Sequence, residues 1–210
     1  MNLSYVTVAE QSCEEIVINK SRFIGYAAPC ETEEQALSFL QSIRDEHKTA
    51  THHCYAYIIG ENASVMRYSD NGEPAGTAGM PIMDVMRTKS IVNCCIVVVR
   101  YFGGVLLGTG GLVRAYTKCG QAAVESAGIS KMLMTSDEYC ELPYSEWDRF
   151  RHVSDQLPVR IEEIAYGSTI TFHLYLRSSE RKSVLDNLMD ASGRKLNILS
   201  ENELFKPWKT

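Results

Sequence analysis

The chain has 210 residues, a formal net charge of −5 at pH 7 and seven cysteines. This length allows one large or two small domains, and the negative charge argues against binding long duplex DNA by bulk charge, though not against a local patch for structured RNA. No apolar segment is long enough to cross a membrane, and the N-terminus lacks the features of a signal peptide. The odd number of scattered cysteines argues against a disulfide scaffold, so we expect a cytoplasmic protein with reduced thiols.

The first third of the chain predicts short strands and one helix. Three strand-like runs within residues 4–28 precede a helix from Thr32 to His47, where Thr32 is the expected N-cap. The buried stripe predicted for this helix consists of Ala36, Leu37, Leu40 and Ile43. A strand is then predicted from His52 to Ile59, and a shorter one from Val65 to Tyr68.

Two histidines and a cysteine on the predicted strand, His52, His53 and Cys54, form the obvious candidate metal cluster. A strand places His52 and Cys54 on the same face, so they supply at most half of a tetrahedral zinc shell. Asp70 and Glu73 follow in a turn where nothing resembles an activated nucleophile, and we predict that they form the turn and cap a helix. We therefore predict no catalytic residues, no bound metal and no cofactor.

Two glycine-rich turns, each followed by a helical pattern, flank the most apolar run of the chain. This run, Cys94 to Val99, predicts a strand buried on both faces. Thr77 in the first turn and Thr109 in the second are the predicted helix caps, with Pro81 in the first helical turn. A helix N-terminus presents free N–H groups and a partial positive charge, and both suit a phosphate.

After the second turn, apolar residues recur at helical spacing and form one stripe: Leu112, Tyr116, Cys119, Ala123 and Ala127. Arg114 and Lys118 share the opposite face of this helix, and from Val85 to Val124 the chain has basic residues but no acidic one. We predict phosphate contacts from the two turns and the nearby cations: Gly76, Thr77, Gly79, Arg100, Gly103, Gly104, Thr109, Gly110, Gly111, Arg114 and Lys118. Purely structural turns, and an internal anchoring role for Arg100, are the alternatives.

The pattern changes near Gly128. The residues that follow predict the order strand, helix, strand, strand, helix, strand, with the last strand from Lys195 to Ser200. This βαββαβ order is the ferredoxin-like arrangement. We therefore predict an α+β protein of two domains, residues 1–129 and residues 130–210.

Long motifs occupy the two turns, SDNGEPAGTAGMP from Ser69 to Pro81 and RYFGGVLLGTGGLVRAY from Arg100 to Tyr116. Together with KSRF at Lys20 to Phe23 and HHCYA at His52 to Ala56, they resemble the IMPACT/YigZ family over essentially the whole chain, as in its two-domain bacterial members. Asn71 stands where the family pattern has a second aspartate, and this difference weakens a metal-binding role for the loop.

The resemblance implies an N-terminal domain similar to one shared by ribosomal proteins, elongation factor G and a class of small-molecule kinases. It also implies a C-terminal domain similar to another elongation-factor domain, and a link to translational control. The first expectation is therefore a translation regulator that binds structured RNA or the ribosome, with a protein partner in translation control also considered. The alternatives are an enzyme or binder of a small phosphorylated metabolite and a protein-interaction module.

Overall fold

The computed structural model describes residues 3–208, which form two compact units that divide between Lys131 and Met132. Each unit combines α-helices with antiparallel strands, in agreement with the predicted mixture of helix and sheet in two parts. None of the helices within residues 3–208 is long and apolar enough to span a membrane.

The first unit is built on a five-stranded sheet. Its elements are β1 Ser4–Val8, β2 Ser12–Ile18, β3 Ser21–Pro29, α1 Glu33–Glu46, β4 His52–Ile59, β5 Val65–Ser69, α2 Gly79–Thr88, β6 Cys94–Tyr101 and α3 Gly108–Ala127. The sheet has the order β2-β3-β6-β4-β5, and all neighbouring strands are antiparallel. Strand β6 therefore lies at the centre of the sheet, and the strand predicted from His52 to Ile59 is confirmed.

Strand β6 is covered on both faces, as its apolar sequence predicts, because every residue from Cys94 to Val99 is completely buried. Alternate residues face opposite sides of the sheet. Cys95 and Val97 pack in the cluster that includes α1, while α3 contacts the sheet as well. A Cβ atom on Gly25 of β3 would lie 2.8 Å from the carbonyl oxygen of Cys119, so only a glycine allows α3 to approach the sheet this closely.

Helix α1 begins after Thr32, as predicted. The Thr32 hydroxyl accepts a hydrogen bond from the N–H of Gln35 at 3.2 Å, and the Gln35 side chain accepts one from the N–H of Thr32 at 3.4 Å. The assignment of Leu37 to the buried stripe is wrong, because this side chain is 48% exposed. Leu37 is next to Ala36 in sequence and therefore lies about 100° away around the helix, on the flank of the buried face.

The second unit has the predicted βαββαβ order. Its elements are β7 Ile129–Leu142, α4 Tyr144–Ser154, β8 Val159–Tyr166, β9 Ile170–Arg177, α5 Arg181–Ala191 and β10 Asn197–Pro207. Strands β10, β7, β9 and β8 are hydrogen-bonded in that order and are antiparallel. Strand β10 is longer than predicted, because its backbone stays paired with β7 as far as Pro207 although its sequence after Ser200 is largely polar.

Candidate functional site

The first glycine turn is organised by the carboxylate of Asp70. One oxygen accepts the N–H groups of Ala78 at 2.9 Å and Gly79 at 2.8 Å, and the other accepts the N–H of Gly76 at 2.8 Å. Asp70 therefore neutralises the positive N-terminus of α2, as expected for a capping carboxylate. The prediction that Thr77 caps this helix is wrong, because α2 begins two residues later and the Thr77 hydroxyl donates to the carbonyl of Pro74 at 2.7 Å.

This arrangement decides what the first turn offers to a ligand. The N–H groups of Gly76 and Gly79, predicted to contact phosphate, already donate to an internal anion. The carboxylate supplies the negative charge that a helix N-terminus attracts. The first turn is thus a filled version of the anion site that its glycines suggest.

A buried ion pair connects the first turn to the central strand. Nη1 of Arg100 lies 2.7 Å from Oε1 of Glu73, and the two side chains are 5% and 3% exposed. The Tyr116 hydroxyl donates to the same Glu73 oxygen at 2.7 Å, and Nη2 of Arg100 donates to the Ser21 hydroxyl at 3.3 Å. Arg100 thus joins β6 to the first turn and to β3, which is the internal anchoring role. Glu73 is its counter-ion and, unlike Asp70, caps no helix.

Burial shifts the titration of the groups that surround this ion pair. Desolvation and the neighbouring Cys54 and Glu73 hold the pKa of the Tyr116 hydroxyl well above its ordinary value. Burial likewise raises the pKa of the Cys54 thiol to about 12. The Cys54 thiol donates to the carbonyl of Asp70 at 3.0 Å, so it is a neutral hydrogen-bonding group of the turn.

The histidines of β4 hold the first turn in place. Nδ1 of His52 lies 2.8 Å from the carbonyl oxygen of Asn71, and because a carbonyl only accepts, Nδ1 carries the proton. The side-chain oxygen of Asn71 accepts the N–H of His53 at 2.7 Å, so Asn71 has a structural role. Within residues 3–208, no three His, Cys, Asp or Glu side chains are grouped so that they could hold a metal ion.

The second glycine turn leads into an uncapped helix. Helix α3 begins at Gly108, and the apolar side chain at its N-cap position, Leu107, accepts no hydrogen bond. The prediction that Thr109 caps the helix is wrong, because the N-cap position is Leu107, two residues earlier, and Thr109 therefore lies inside the first turn of α3. Gly108, Thr109 and Gly110 are exposed. The N-terminus of α3 therefore has the open N–H groups that Asp70 fills at α2.

The glycines before α3 differ in their roles. A Cβ atom on Gly103 would lie 2.0 Å from the carbonyl carbon of Lys20, so this glycine allows close packing against the β2–β3 turn. The N–H of Gly103 also donates to the Ser21 hydroxyl at 3.2 Å. Gly104 has a φ of 80° and faces open space. Of these two predicted phosphate-binding glycines, Gly103 is engaged internally and Gly104 is accessible.

Two exposed cations follow the open helix N-terminus. Arg114 and Lys118 lie on the solvent side of α3, opposite its buried stripe, as predicted. Nη1 of Arg114 is 3.7 Å from the position that a Cβ of Gly110 would occupy, so the guanidinium lies beside the first turn of the helix. In the part of the chain that the structure describes, neither side chain forms an ion pair.

A cleft of about 410 Å³ opens between the two turns. Its wall from the second turn is apolar, with Phe102 46% and Leu106 86% exposed, and Pro74 lines the side of the first turn. Arg100 also lines this cleft, its guanidinium lying 5.3 Å from the centre of the Phe23 ring and 5.4 Å from that of Phe102. Phe102 and Leu106 were not predicted as site residues, although apolar side chains inside a glycine-rich loop are a signal of exposed contact surface.

The fold and this site define a two-unit protein with a mixed α/β first unit, built around two glycine turns and a buried arginine–glutamate pair. The family model for the Impact N-terminal domain matches residues 19–124, and a domain of unknown function, DUF1949, matches residues 140–193. The chain belongs to the IMPACT family.

Relatives of known sequence and structure cover nearly the whole chain. It is 35% identical to the IMPACT family member YvyE of Bacillus subtilis, over 96% of this chain and 92% of that protein. It is 32% identical to the IMPACT family member YigZ of Escherichia coli, over 94% and 95% of the two chains. A crystal structure of a protein described as hypothetical aligns with a TM-score of 0.63 and 30% identity, over 95% of this chain and 98% of the other.

Proposed function

We propose that the protein is a cytoplasmic translation regulator that binds structured RNA, on the ribosome, through phosphates held at the N-terminus of α3. The observation that carries this proposal is the uncapped first turn of α3 with the Arg114 guanidinium beside it. Free N–H groups, the helix dipole and a cation are the standard means of binding a phosphate. The role in translation is the part of the proposal that the family resemblance supplies.

The contrast between the two turns supports this location. At α2, a carboxylate from Asp70 occupies the N–H groups, whereas α3 has no acceptor of its own among the described side chains. The residues from Val85 to Val124 lack acidic side chains that would repel an RNA phosphate. The proposed contact residues are therefore the accessible part of the predicted set: Gly104, Thr109, Gly110, Gly111, Arg114 and Lys118.

Binding of purified ribosomes and of a structured RNA by the double variant Arg114→Ala/Lys118→Ala tests the proposal. Each lost cation is expected to weaken binding and to reduce the slope of log K against log salt by about one. Lys48→Ala/Lys182→Ala is the matched control, because it removes the same charge from two exposed lysines outside the site. Equal binding by wild type and the Arg114/Lys118 variant, both folded, would overturn the proposal.

A second candidate function rests on the cleft between the turns. Its volume of about 410 Å³ is in the range of small-molecule sites, and it combines apolar walls with the helix N-terminus at Gly108 and Thr109. These features suit a small phosphorylated ligand with an apolar part. Calorimetry with a panel of mononucleotides and sugar phosphates tests this candidate, and Leu106→Ser is expected to weaken binding in the cleft without affecting the ribosome.

We also propose for the two units the folds that the resemblance implies. The first unit would share the domain found in ribosomal proteins and elongation factor G. The second would be ferredoxin-like, and its antiparallel order β10-β7-β9-β8 supports this assignment.

A further inference from the structure

The second unit presents an aromatic sheet face that the proposed site does not use. Strands β7 and β9 are the two central strands of the order β10-β7-β9-β8. Their residues Cys140, Phe172 and Leu174 are buried in the core with α4 and α5. Because side chains alternate along a strand, Tyr139 and His173 project from the opposite face, which we call the open face. They are paired directly across the two strands.

The rings on the open face form a continuous row. The ring centroids of Tyr139 and His173 are 5.0 Å apart, and those of His173 and Tyr175 are 6.0 Å apart with nearly parallel planes (19°). Trp208 lies on the same face beyond β10, where its indole N–H donates to the Thr135 hydroxyl at 2.8 Å. Tyr139 and His173 are half-buried, whereas Tyr175 is nearly covered. The first two rings are therefore the accessible part of the row.

Three cations lie against the ends of this row. Nζ of Lys206 is 3.3 Å from the centre of the Tyr175 ring, and this contact accounts for the low exposure of Tyr175. The guanidinium groups of Arg160 and Arg177 lie 4.6 Å and 5.3 Å from the centre of the Trp208 ring. Within residues 3–208, Arg160 forms no ion pair and donates to the carbonyl of Pro207. Arg160 therefore keeps an uncompensated positive charge at the edge of the open face.

Carboxylates on the same face have internal partners. Asp137 lies 2.7 Å from Nδ1 of His173, and Glu163 lies 3.9 Å from Nε2 of the same ring. Glu162 pairs with Lys206 at 2.8 Å, and Glu141 accepts a hydrogen bond from the Thr169 hydroxyl at 2.6 Å. These four carboxylates outnumber the three cations on the face, so a ligand that relies on negative charge alone has little to gain there.

We propose that the open face binds unpaired nucleotides of RNA, whose bases stack on Tyr139 and His173 while a phosphate approaches Arg160. Four-stranded sheets with aromatic side chains on their two central strands bind single-stranded RNA in this way. Stacking also suits a face without net positive charge, since every base has a π surface and needs no charge to use it. This inference rests on the proposed function in that the ligand is RNA, but it assigns a second contact in the other unit and a different RNA structure.

The stacking mode predicts a particular salt dependence. Binding at α3 depends on phosphates and should weaken steeply with salt, in proportion to the cations engaged. Binding on the open face engages one free arginine, so the slope of log K against log salt should be about one or less. The base sequence should have little influence, because stacking tolerates any base.

The test uses the full chain with an oligouridylate of about ten nucleotides, a length within the usual range of single-strand sites. The chain has two tryptophans, so Trp147→Phe leaves Trp208, on the open face, as the fluorescent reporter. Titration should change the Trp208 emission. Tyr139→Leu and His173→Leu, which keep apolar bulk but remove the ring, should each weaken binding about tenfold. Tyr139→Phe should retain binding, because it keeps the ring.

The matched control is Tyr166→Leu, which removes a tyrosine that is 66% exposed on the neighbouring strand β8. This control should bind like wild type. A folded Tyr139→Leu variant with unchanged affinity, or a wild-type chain that does not bind the oligouridylate, would overturn the inference. If Tyr139→Leu does not fold, loss of affinity in His173→Leu decides the question alone.

The two proposals fail separately. The Arg114→Ala/Lys118→Ala variant should lose ribosome binding and keep oligouridylate binding, because its substitutions lie in the first unit. Tyr139→Leu should show the opposite result: it should lose oligouridylate binding and keep ribosome binding. Suppose that Arg114→Ala/Lys118→Ala loses ribosome binding, but that Tyr139→Leu and His173→Leu bind the oligouridylate as wild type does. This result would support the proposed function and reject the inference about the open face.

Discussion

Arg100 and Glu73 form an ion pair of 2.7 Å in which both side chains are almost completely buried. The two residues are 27 positions apart in sequence, and the pair fixes the first glycine turn against the central strand. The Tyr116 hydroxyl shares the same carboxylate oxygen, so α3 is attached to the same point. The geometry of both turns therefore depends on one desolvated charge pair.

Removing one partner of this pair should destabilise the first unit strongly. Glu73→Gln keeps the shape and hydrogen-bonding capacity of the side chain but leaves the Arg100 charge buried without a counter-ion, which typically costs about 3–5 kcal/mol. Urea unfolding measures the change. Glu15→Gln breaks an ion pair with Arg22 in which the side chains are 42% and 52% exposed, and it should cost less than about 1 kcal/mol. Equal losses in both variants would contradict the structural role of the buried pair.

Buried thiols should make the first unit sensitive to alkali. Burial raises the pKa of Cys54 and of Cys119 from 9.0 to about 12. Above pH 9, the unfolded chain releases these protons while the folded chain retains them, so the free energy of unfolding falls as the pH rises. The loss should be about 1.4 kcal/mol per thiol between pH 8 and pH 10, because the folded thiols remain neutral in this window.

Urea unfolding at the two pH values measures this loss. Cys119→Ala removes one of the two groups and should reduce the pH dependence by about half of their joint contribution. Cys13→Ala is the control, because Cys13 is exposed in the folded chain. A pH dependence that is identical in wild type and Cys119→Ala would show that this thiol is not protected by folding.

The two units should fold independently. The pairing of β7 with β10 begins at Met132 and therefore lies entirely within the second unit. Each unit also has its own apolar cluster. Fragments 1–131 and 132–210 should therefore each give a cooperative thermal transition by circular dichroism. A second fragment without such a transition would show that it needs the first unit to fold, and this outcome would reject the predicted domain independence.

Local patterns predicted most of the secondary structure and less of the site. Both ends of strand β4 were predicted correctly from the alternation of its side chains. The cap of α1 at Thr32 was also predicted correctly, because it depends only on adjacent residues. Thr77 failed as a cap because Asp70, eight residues before Ala78, reaches the N–H groups of α2 across a turn. Rules for helix caps consider neighbouring residues, and they do not foresee a carboxylate that arrives through the tertiary fold.

The role of Arg100 could not be decided from the sequence, for a related reason. An arginine at the end of a buried strand suits both a phosphate contact and an internal anchor, and the choice depends on a partner distant in sequence. Arg114 and Lys118 could be placed correctly because helical spacing alone puts them opposite the apolar stripe. The aromatic row of the second unit was not predicted, because it depends on the pairing of β7 with β9. Local sequence patterns do not show which strands pair.

Gly110→Ala should separate stability from binding at the N-terminus of α3. A Cβ atom at Gly110 has only the flexible end of Arg114 nearby, at 3.7 Å, and Gly110 is in the first turn of a helix. Alanine is favoured over glycine in a helix by about 0.5–1 kcal/mol, so the variant should be at least as stable as wild type. The added methyl group would nevertheless lie among the open N–H groups and keep a phosphate at a distance. Ribosome and RNA binding should therefore weaken in a protein that melts at the same or a higher temperature.

Gly103→Ala is the contrasting variant. Its Cβ atom would lie 2.0 Å from the Lys20 backbone, so this variant should have a lower melting temperature. If Gly110→Ala binds ribosomes and structured RNA as well as wild type does, the phosphate does not approach the backbone at α3.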